Sequence, residues 1–345
     1  MYRFDSDYVE GCHPSLLKRL VETNEEQHIG YGRDKYCRAA AEKIRNTLRR
    51  PDAHVHFLVG GTQTNTTLIA HCLRPWESPI CCQSGHINAH ETGAVESRGI
   101  KIYALPAHDG KLKAEELRAF LAKKRGQEAP EHETDPRLVY LSQPTETGSL
   151  YSKQELESIR EICDQYDLYL MVDGARLGFA LASPANDVPW EDLGRLCDLL
   201  YIGGTKMGAL FGEAAVIFRE ELNRNFRFSV KQNGGMLAKG RLLGLQFDTL
   251  FTDNLYEKIG EHGDRLALKL RKAAEDLGYG FASFSPTNQQ FLLLRKQEMD
   301  LLEQDFAFEA SPYDEKYYSV RFCTSFATKE EAVDQLIHAL KTLRN

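Results

Sequence analysis

Short apolar runs separated by amphipathic stretches dominate the middle of the chain. The runs LYLMV at 168–172 and LLYI at 199–202 are apolar at nearly every position, as expected of strands covered on both faces of a parallel sheet. The stretch SKQELESIREICDQYD at 152–167 precedes the first run and predicts a helix. This alternation of strands and helices predicts an α/β fold with a mostly parallel central sheet flanked by helices.

The last hundred residues have a different pattern. Short strands are predicted within 281–295 and 317–323, followed by a helix that opens with a capping box at Thr328 and Glu331. A chain of 345 residues is long for a single core. We therefore predict a large domain over 1–245, which includes an N-terminal arm over 1–20, and a smaller α+β domain over 246–345. A single helix from about 233 to 276 is predicted to link them, with Gly244, Gly260 and Gly263 as its weak points.

Composition narrows the classes of function. The net charge of −7 provides no basic surplus for binding nucleic acid or an anionic membrane. No apolar run approaches the ~20 residues that span a bilayer, and the first residues lack the apolar core of a signal peptide. Eight cysteines without C-x-x-C spacing indicate reduced thiols. We expect a cytoplasmic protein that acts on a small molecule.

Two polar residues stand where apolar runs end. Asp173 follows LYLMV, and Lys206 follows LLYI after two glycines and a threonine. Open α/β folds bind ligands at the carboxyl ends of their strands, and a partly desolvated lysine forms Schiff bases readily. The two residues are 33 positions apart, about one strand–helix–strand unit, so we expect them on nearby strand ends. Gly203, Gly204 and Gly208 are expected to leave room for a bulky group. Each polar residue alone also suits an ordinary turn or a solvated loop.

The segments DGARLG at 173–178 and GGTKMGALFG at 203–212 carry a family resemblance. They resemble the aspartate and lysine segments of fold-type I pyridoxal 5′-phosphate (PLP) enzymes, in particular the low-specificity threonine aldolases of the β-eliminating lyase group. The resemblance implies a fold-type I PLP-dependent transferase-like fold in which Lys206 holds PLP as a Schiff base. It also implies that Asp173 pairs with the ring nitrogen of PLP and that Arg176 meets its ring hydroxyl.

A glycine turn near residue 60 is a candidate phosphate site. HVHFLV at 54–59 alternates like a strand, Gly60 and Gly61 make a turn, and a helix with Thr62 as its cap is predicted to follow. Helix N-termini bind anions through their free N–H groups, although such a turn also occurs without any ligand. Beside the resemblance, Gly61 and Thr62 are expected to bind the phosphate of PLP.

His86 follows Ser84 and Gly85 at a predicted helix start. In the resembled family a histidine at this place stacks on the cofactor ring, so His86 is expected to bind PLP and to take part in catalysis. Cys82, His86 and His90 are spaced by four residues and suggest a metal site as an alternative. Because Cys82 is expected in the preceding strand, and the sequence indicates no fourth ligand, we expect no metal here.

Three further residues are expected at the substrate. The resemblance implies that Ser6, in an N-terminal Ser-Asp pair, and Arg321, in a predicted strand, hold the substrate carboxylate. A Tyr-Gly pair in the family reaches an active site, which makes Tyr31 a candidate. The sequence leaves other readings open: a turn for Ser6, simple packing for Tyr31, and a buried structural ion pair for Arg321.

The chain departs from the family pattern at two places. Aldolases of this kind commonly carry a Thr-His pair after the strand that precedes PTETGSLYS, whereas the nearest matches here are Pro144, Thr145 and Glu146. His86 is then the best histidine for proton transfer. Leu237 stands about where the family has an arginine that reaches a neighbouring subunit's cofactor phosphate, and Lys231, Lys239 and Arg241 lie near it without an assigned role.

The resemblance implies cleavage of L-threonine or L-allo-threonine to glycine and acetaldehyde through the Lys206 Schiff base. It also implies a homodimer or homotetramer whose active sites are shared between chains, with a small amino acid as the substrate. Another PLP-dependent reaction, such as β-elimination, racemisation or transamination, is the first alternative because the Thr-His pair is missing. A metal-binding or ligand-binding α/β protein without PLP is the second.

Overall fold

A computed structural model describes residues 1–344 of the chain. The strands, numbered in chain order, are β1 (Tyr2–Arg3), β2 (His54–Leu58), β3 (Glu77–Cys82), β4 (Tyr103–Leu105), β5 (Asp135–Ser142), β6 (Tyr169–Gly174), β7 (Leu199–Gly203), β8 (Glu213–Ile217), β9 (Gly280–Phe281), β10 (Gln289–Leu294), β11 (Phe306–Ala307), β12 (Glu309–Pro312) and β13 (Tyr318–Cys323).

The α-helices are α1 (Pro14–Glu22), α2 (Lys35–Thr47), α3 (Gly61–Cys72), α4 (His86–Ala89), α5 (Ala114–Arg125), α6 (Lys153–Tyr166), α7 (Leu177–Ala182), α8 (Trp190–Leu196), α9 (Glu220–Asn223), α10 (Phe226–Gln232), α11 (Arg241–Leu250), α12 (Leu255–Asp276), α13 (Lys296–Leu302) and α14 (Glu330–Arg344). Short 3₁₀ turns cover Glu96–Arg98, Pro130–His132 and Thr205–Met207.

A seven-stranded sheet in the order β2-β8-β7-β6-β5-β3-β4 forms the centre of the molecule. Within it β8 pairs antiparallel with both of its neighbours, and the other pairings are parallel. Side chains of β6 alternate between two cores: Leu170 and Val172 pack on one face of the sheet and Met171 on the other. The predicted mostly parallel sheet, covered on both faces, is confirmed, because a strand buried on both sides needs apolar residues at consecutive positions.

A second sheet, in the order β12-β13-β10-β9, packs with α12 and α14 around a separate apolar core. The N-terminal arm joins this core, because β1 pairs in parallel with β11 and Phe4 is fully buried there. The predicted boundary between residues 245 and 246 falls inside α11, and the division into two domains stays a prediction.

The single helix predicted over 233–276 is wrong. Helix α11 ends at Leu250, and α12 begins at Leu255 after Asp253 and Asn254, whose φ angles of 53° and 56° lie in the left-handed region. The glycines expected to weaken the helix are instead close-packing positions. A Cβ on Gly244 would lie 2.4 Å from the backbone N of Cys37, so the glycine allows α11 to approach α2.

The C-terminal helix starts slightly later than predicted. Helix α14 begins at Glu330, two residues after Thr328. The Thr328 hydroxyl accepts a hydrogen bond from the backbone N of Ser325 at 2.8 Å, which stabilises the preceding turn. Among residues 1–344, no helix combines the length and the apolar composition needed to cross a bilayer.

Candidate active site

The carboxyl ends of β5, β6 and β7 border one cavity, at the edge of the sheet where open α/β folds bind their ligands. Asp173 at the end of β6 pairs in register with Ser142 on β5 and with Tyr201 on β7, and Lys206 follows β7 in a 3₁₀ turn. The residues that line the cavity are His86, Ser142, Pro144, Thr145, Glu146, Asp173, Ala175, Arg176 and Lys206. The structure therefore brings together Asp173 and Lys206, as the spacing in the sequence predicts.

The surroundings of Lys206 favour its side-chain amine as a nucleophile. Burial lowers the pKa of Lys206, and the nearby Arg176 guanidinium lowers it further, against the opposing charges of Asp7, Asp173 and Glu213. A lysine with a lowered pKa holds more of its amine in the neutral form that attacks a carbonyl carbon.

Glu213, which was not identified from the sequence, stabilises the turn that carries Lys206. Its Oε2 accepts from the Gly204 backbone N at 2.8 Å, and its Oε1 accepts from the Thr205 hydroxyl at 2.7 Å. Burial raises the pKa of Glu213 to about 7. A glutamate at the start of the otherwise apolar strand EAAVI was the signal for this residue, because a charge in a buried strand needs a polar partner.

The glycines around Lys206 serve the protein backbone. A Cβ on Gly203 would lie 2.1 Å from the carbonyl oxygen of Ala175, and a Cβ on Gly204 would lie 2.4 Å from that of Gly212. Gly208 has a φ of +83°, in the left-handed region. The expectation that these glycines leave room for a bulky ligand is wrong, because neighbouring chain segments fill the space beside them.

Asp173 accepts three hydrogen bonds. Its Oδ2 accepts from Asn65 Nδ2 at 2.8 Å and from the Tyr140 hydroxyl at 2.6 Å, and its Oδ1 accepts from the Ala175 backbone N at 2.9 Å. Together the three donors fix the position of the carboxylate at the end of β6. Asn65 and Tyr140 were not identified from the sequence, since their role depends on how α3 and β5 pack beside β6.

His86 begins α4, as predicted, and its ring lies at the same cavity. His86 Nδ1 is 2.8 Å from Glu91 Oε1, and that oxygen also accepts from Asn65 Nδ2. Burial opposes a charge on the ring, but the hydrogen bond to Glu91 and the charges of Asp173 and Glu91 raise the pKa of His86 overall. Asn65 thus connects the histidine to Asp173.

The predicted phosphate turn lies at the amino end of α3. Gly60 is the N-cap and Thr62 is the second residue of the helix, so the prediction that Thr62 caps it is wrong. Gly61 and Asn65 lie one turn apart on the same face. Asn65 bonds Asp173, and a Cβ on Gly61 would lie 2.8 Å from the Tyr201 hydroxyl. The first turn of α3 therefore faces the side of the sheet that carries Asp173.

Arg176 lines the cavity and pairs with a carboxylate from the N-terminal arm. Its Nε donates to Asp7 Oδ2 at 2.6 Å and its Nη2 to Asp7 Oδ1 at 3.1 Å, in a bidentate pair. Asn288 Nδ2 also donates to Asp7 at 2.9 Å. Next to this pair, Ser6 Oγ is buried without a hydrogen-bond partner in the described protein. A buried hydroxyl group without a hydrogen-bond partner is typical of a residue that binds a ligand.

Arg321 and Tyr31 lie outside the lining of this cavity. Arg321 Nη2 is 2.7 Å from Glu309 Oε2 and donates to the Asp5 carbonyl oxygen at 3.0 Å. Its Nε is buried without a partner in the described residues, so the arginine forms an ion pair and keeps one free donor. Tyr31 is 47% exposed and lines a second cavity, together with Arg227.

The alternative metal site does not assemble in residues 1–344, where no group of three His, Cys, Asp or Glu side chains is arranged to hold a metal. Cys82 is the last residue of β3, as expected, and its Sγ lies 3.3 Å from the Gly110 carbonyl oxygen. His86 Nδ1 is engaged by Glu91.

The residues at and around the cavity that contains Lys206 fit PLP by their chemistry. Lys206 offers an amine for the aldehyde, Asp173 offers a carboxylate partner for the ring nitrogen, and His86 offers a flat ring for stacking. The first turn of α3 offers backbone N–H groups for a phosphate. The positions of Asp173 and Lys206 at strand ends indicated these two residues in the sequence, whereas the roles of His86 and the turn at Gly61 followed from the family resemblance.

Comparisons with known proteins agree with this fit. A solved threonine aldolase from Leishmania major superposes with a TM-score of 0.97 at 43% identity, covering 100% of both chains. Low-specificity L-threonine aldolases are 30% identical in Pseudomonas aeruginosa, over 87% of this chain and 86% of that protein, and 29% identical in a Pseudomonas species, over 97% and 95%.

The family model described as beta-eliminating lyase matches residues 4–297, most of the chain. Fold-type I enzymes of this family are PLP-dependent lyases, and the central sheet observed here is that of fold type I. The chain belongs to the beta-eliminating lyase family.

Proposed function

We propose that this protein is a PLP-dependent aldolase that cleaves L-threonine and L-allo-threonine to glycine and acetaldehyde. The observation that carries the proposal is the shared cavity of Lys206 and Asp173 in a chain whose relatives are named threonine aldolases. PLP, when bound, supplies an electron sink for the bond to Cα that breaks.

The cofactor-binding residues expected from the sequence each have a proposed role toward PLP. Lys206 links covalently to its aldehyde, and Asp173 keeps a proton on its ring nitrogen. His86 stacks on the ring, Arg176 meets the ring hydroxyl, and the first turn of α3, at Gly61 and Thr62, binds the phosphate. The three hydrogen bonds to Asp173 support its role, because they hold the carboxylate in place.

The substrate carboxylate is proposed to bind Ser6 and Arg321. The unpartnered Ser6 Oγ and Arg321 Nε support this role, because a carboxylate would satisfy both buried groups. Ser6 and Arg321 would orient the substrate, and that orientation would determine which bond to Cα breaks. Removal of the proton from the β-hydroxyl group then cleaves Cα–Cβ.

We also propose a homodimer or homotetramer with shared active sites, in the cytoplasm. Leu17 and Val21 lie one turn apart on α1 and are 54% and 70% exposed, which supports association through apolar surface. Tyr31 contacts substrate in this proposal only across such an interface. Light scattering gives the native mass, and a monomer at micromolar concentration contradicts the proposal.

The proposed location in the cytoplasm is supported by the cysteines. All eight are free, which suits a reducing compartment.

Another PLP-dependent reaction, such as β-elimination, is the second candidate function. It is favoured by one observation: Glu146 lines the cavity at the place where a Thr-His pair is expected.

The visible absorption spectrum of the purified protein tests the cofactor. The wild type is expected to absorb as a PLP Schiff base and to retain the cofactor covalently after borohydride reduction, whereas Lys206→Ala retains none. A panel of amino acids then tests the reaction. Absence of glycine formation from both threonine isomers, by a protein that carries PLP, contradicts the aldolase assignment.

A further inference from the structure

Glu146 occupies a turn that the fold holds rigidly. The Thr145 backbone N donates to the Ser149 carbonyl oxygen, and the Gly148 N donates to the Thr145 carbonyl oxygen, both at 2.9 Å. Gly148 has a φ of +82°, and a Cβ there would lie 2.1 Å from Ser285 Oγ, so the turn packs directly against the C-terminal part of the chain. The position of Glu146 is therefore built into the packing of the molecule.

The two carboxylate oxygens of Glu146 have different surroundings. Oε1 accepts from the Ser142 hydroxyl at 2.6 Å and from the His86 backbone N at 2.9 Å. Oε2 is buried and has no hydrogen-bond partner in the described residues, and the side chain lines the cavity that holds Lys206. A buried carboxylate oxygen without a partner costs stability, so its retention at a cavity indicates a ligand.

Burial raises the pKa of Glu146, and the charge of Asp173 adds to that effect against the hydrogen bond from Ser142 and the charge of His86. A carboxylate with a raised pKa is a stronger base than one in water. The titratable groups around Glu146 include Cys81 and Cys82 on β3, His86 on α4, Tyr140 on β5, Tyr151, Asp173 on β6, and Arg176 and Lys206 at the cavity.

We propose that Glu146 is the general base that takes the proton of the substrate's β-hydroxyl group, an inference that rests on the proposed aldolase function. Its Oε2 replaces the imidazole that the family commonly carries after this strand. His86 keeps its proposed stacking role, and its Nδ1 is bonded to Glu91.

Glu146 Oε2 forms a bond to the hydroxyl proton while the C–O bond of the substrate becomes a carbonyl. The Cα–Cβ bond breaks, its electron pair stays on Cα, and acetaldehyde leaves. A proton is then delivered to Cα to complete glycine, and Glu146 loses its proton to restore the starting state. In total one proton moves from the hydroxyl oxygen to Cα.

Glu146→Gln tests the proposal, because glutamine keeps the shape and an oxygen for Ser142 and His86 but is not a base. We expect kcat for L-allo-threonine to fall about 10²-fold or more, with KM changed by less than about threefold. Exchange of the glycine Cα proton in D₂O, followed by NMR, does not involve a β-hydroxyl group. It is expected to stay within about threefold of the wild type, with an unchanged Kd for PLP.

Ser142→Ala is the matched control, because it removes one hydrogen bond to Oε1 and leaves the carboxylate. Its kcat is expected to fall less than about tenfold. A Glu146→Gln enzyme that cleaves at the wild-type rate, or that loses cleavage and glycine exchange equally, overturns the assignment. Failure of the wild type itself to cleave threonine isomers refutes the proposed function instead, so the two failures are distinguishable.

The stability of the protein without PLP gives a readout that is independent of catalysis. If Glu146 is a base whose Oε2 is left without a partner, Glu146→Gln is expected to maintain or raise the Tm near neutral pH. A fall of several degrees together with unchanged kcat assigns a structural role and overturns the proposal.

Should the glutamine variant fail to fold, Glu146→Asp keeps the charge. Its kcat then supports the proposal if it falls below the wild-type value while glycine exchange is retained, and overturns it if it equals that value.

Discussion

At the scale of single residues, the Asp7–Arg176 pair links the N-terminal arm to the loop after β6. Both side chains are largely buried, and Asn288 adds a third member to the network. Burial opposes ionisation of Asp7, but Arg176 and Lys206 lower its pKa overall. The stabilisation is therefore present above the ordinary pKa of 3.8 and is lost as pH falls through the lowered pKa of the folded state.

Asp7→Asn is expected to lower the free energy of unfolding by about 3–5 kcal/mol, because it leaves the buried Arg176 without a counter-charge. Urea denaturation at pH 7 measures this loss. Asp276→Asn, which removes an exposed partner of Lys272, is the control and is expected to cost about 0.5 kcal/mol or less. Equal effects of the two substitutions contradict the view that the buried pair matters.

Glu213 predicts a pH dependence of stability. Its pKa rises from 4.5 to about 7 on folding, so its contribution is complete below pH 4.5 and is lost as pH rises through about 7. In the protein without PLP, Glu213→Gln is expected to remove a decrease of roughly 3 kcal/mol across this interval. Urea denaturation of both proteins at a series of pH values checks it. Parallel curves for the two proteins contradict the prediction.

At the scale of elements, the placement of α3 determines the shape of the site. Helix α3 contacts Asp173 through Asn65 and places its first turn beside Tyr201. Helices α11 and α12 contribute differently: their glycines let neighbouring segments approach closely, as at Gly244. Close contact between elements, more than local helix preference, explains where glycine occurs in these helices.

Gly61→Ala tests the role of the first turn of α3. The added Cβ would lie 2.8 Å from the Tyr201 hydroxyl, so the turn must shift away from the sheet. We expect the Kd for PLP to rise about tenfold, and that for pyridoxal, which lacks the phosphate, to change less. Gly60→Ala is the matched control, since nothing lies within 4 Å of a Cβ there. Equal PLP affinities of the two variants contradict a phosphate site at this turn.

At the scale of the whole molecule, the N-terminal arm connects the second core to the cavity. Strand β1 pairs with β11, the Cys323 backbone N donates to the Phe4 carbonyl oxygen at 2.7 Å, and Ser6 and Asp7 follow directly. The same few residues therefore anchor the arm in the C-terminal sheet and deliver two polar groups to the site.

Phe4→Ala is expected to destabilise the protein by about 3–5 kcal/mol, because the ring is fully buried against Phe306 and Phe322. Chemical denaturation provides the measurement. Leu301→Ala, at a side chain that is 55% exposed, is expected to change stability by about 0.5 kcal/mol or less. A similarly small effect at Phe4 shows that the arm is not an integral part of the second core.

Local pattern was sufficient for much of the fold and for the main site residues. Continuous apolar runs mark β5, β6 and β7 because both faces of a parallel sheet are covered, and Asp173 and Lys206 stand out at their ends. One continuous helix was wrongly predicted over 233–276, because the break at Asp253 and Asn254 depends on two residues in the left-handed region. Asparagine or aspartate residues inside a polar stretch are not enough to predict such a break in a helix from the sequence.

The sequence by itself determined the alternation of strands and helices around the central sheet, the amine and carboxylate at neighbouring strand ends, and the resemblance to the family. Only the tertiary structure decided their partners. Asn65 meets Asp173 across 108 positions of the chain, and Asp7 meets Arg176 across 169. Local periodicity reports which face of an element is apolar, whereas contacts between distant polar groups depend on how whole elements pack. The support beneath Lys206 and the free oxygen of Glu146 became visible only after that packing was known.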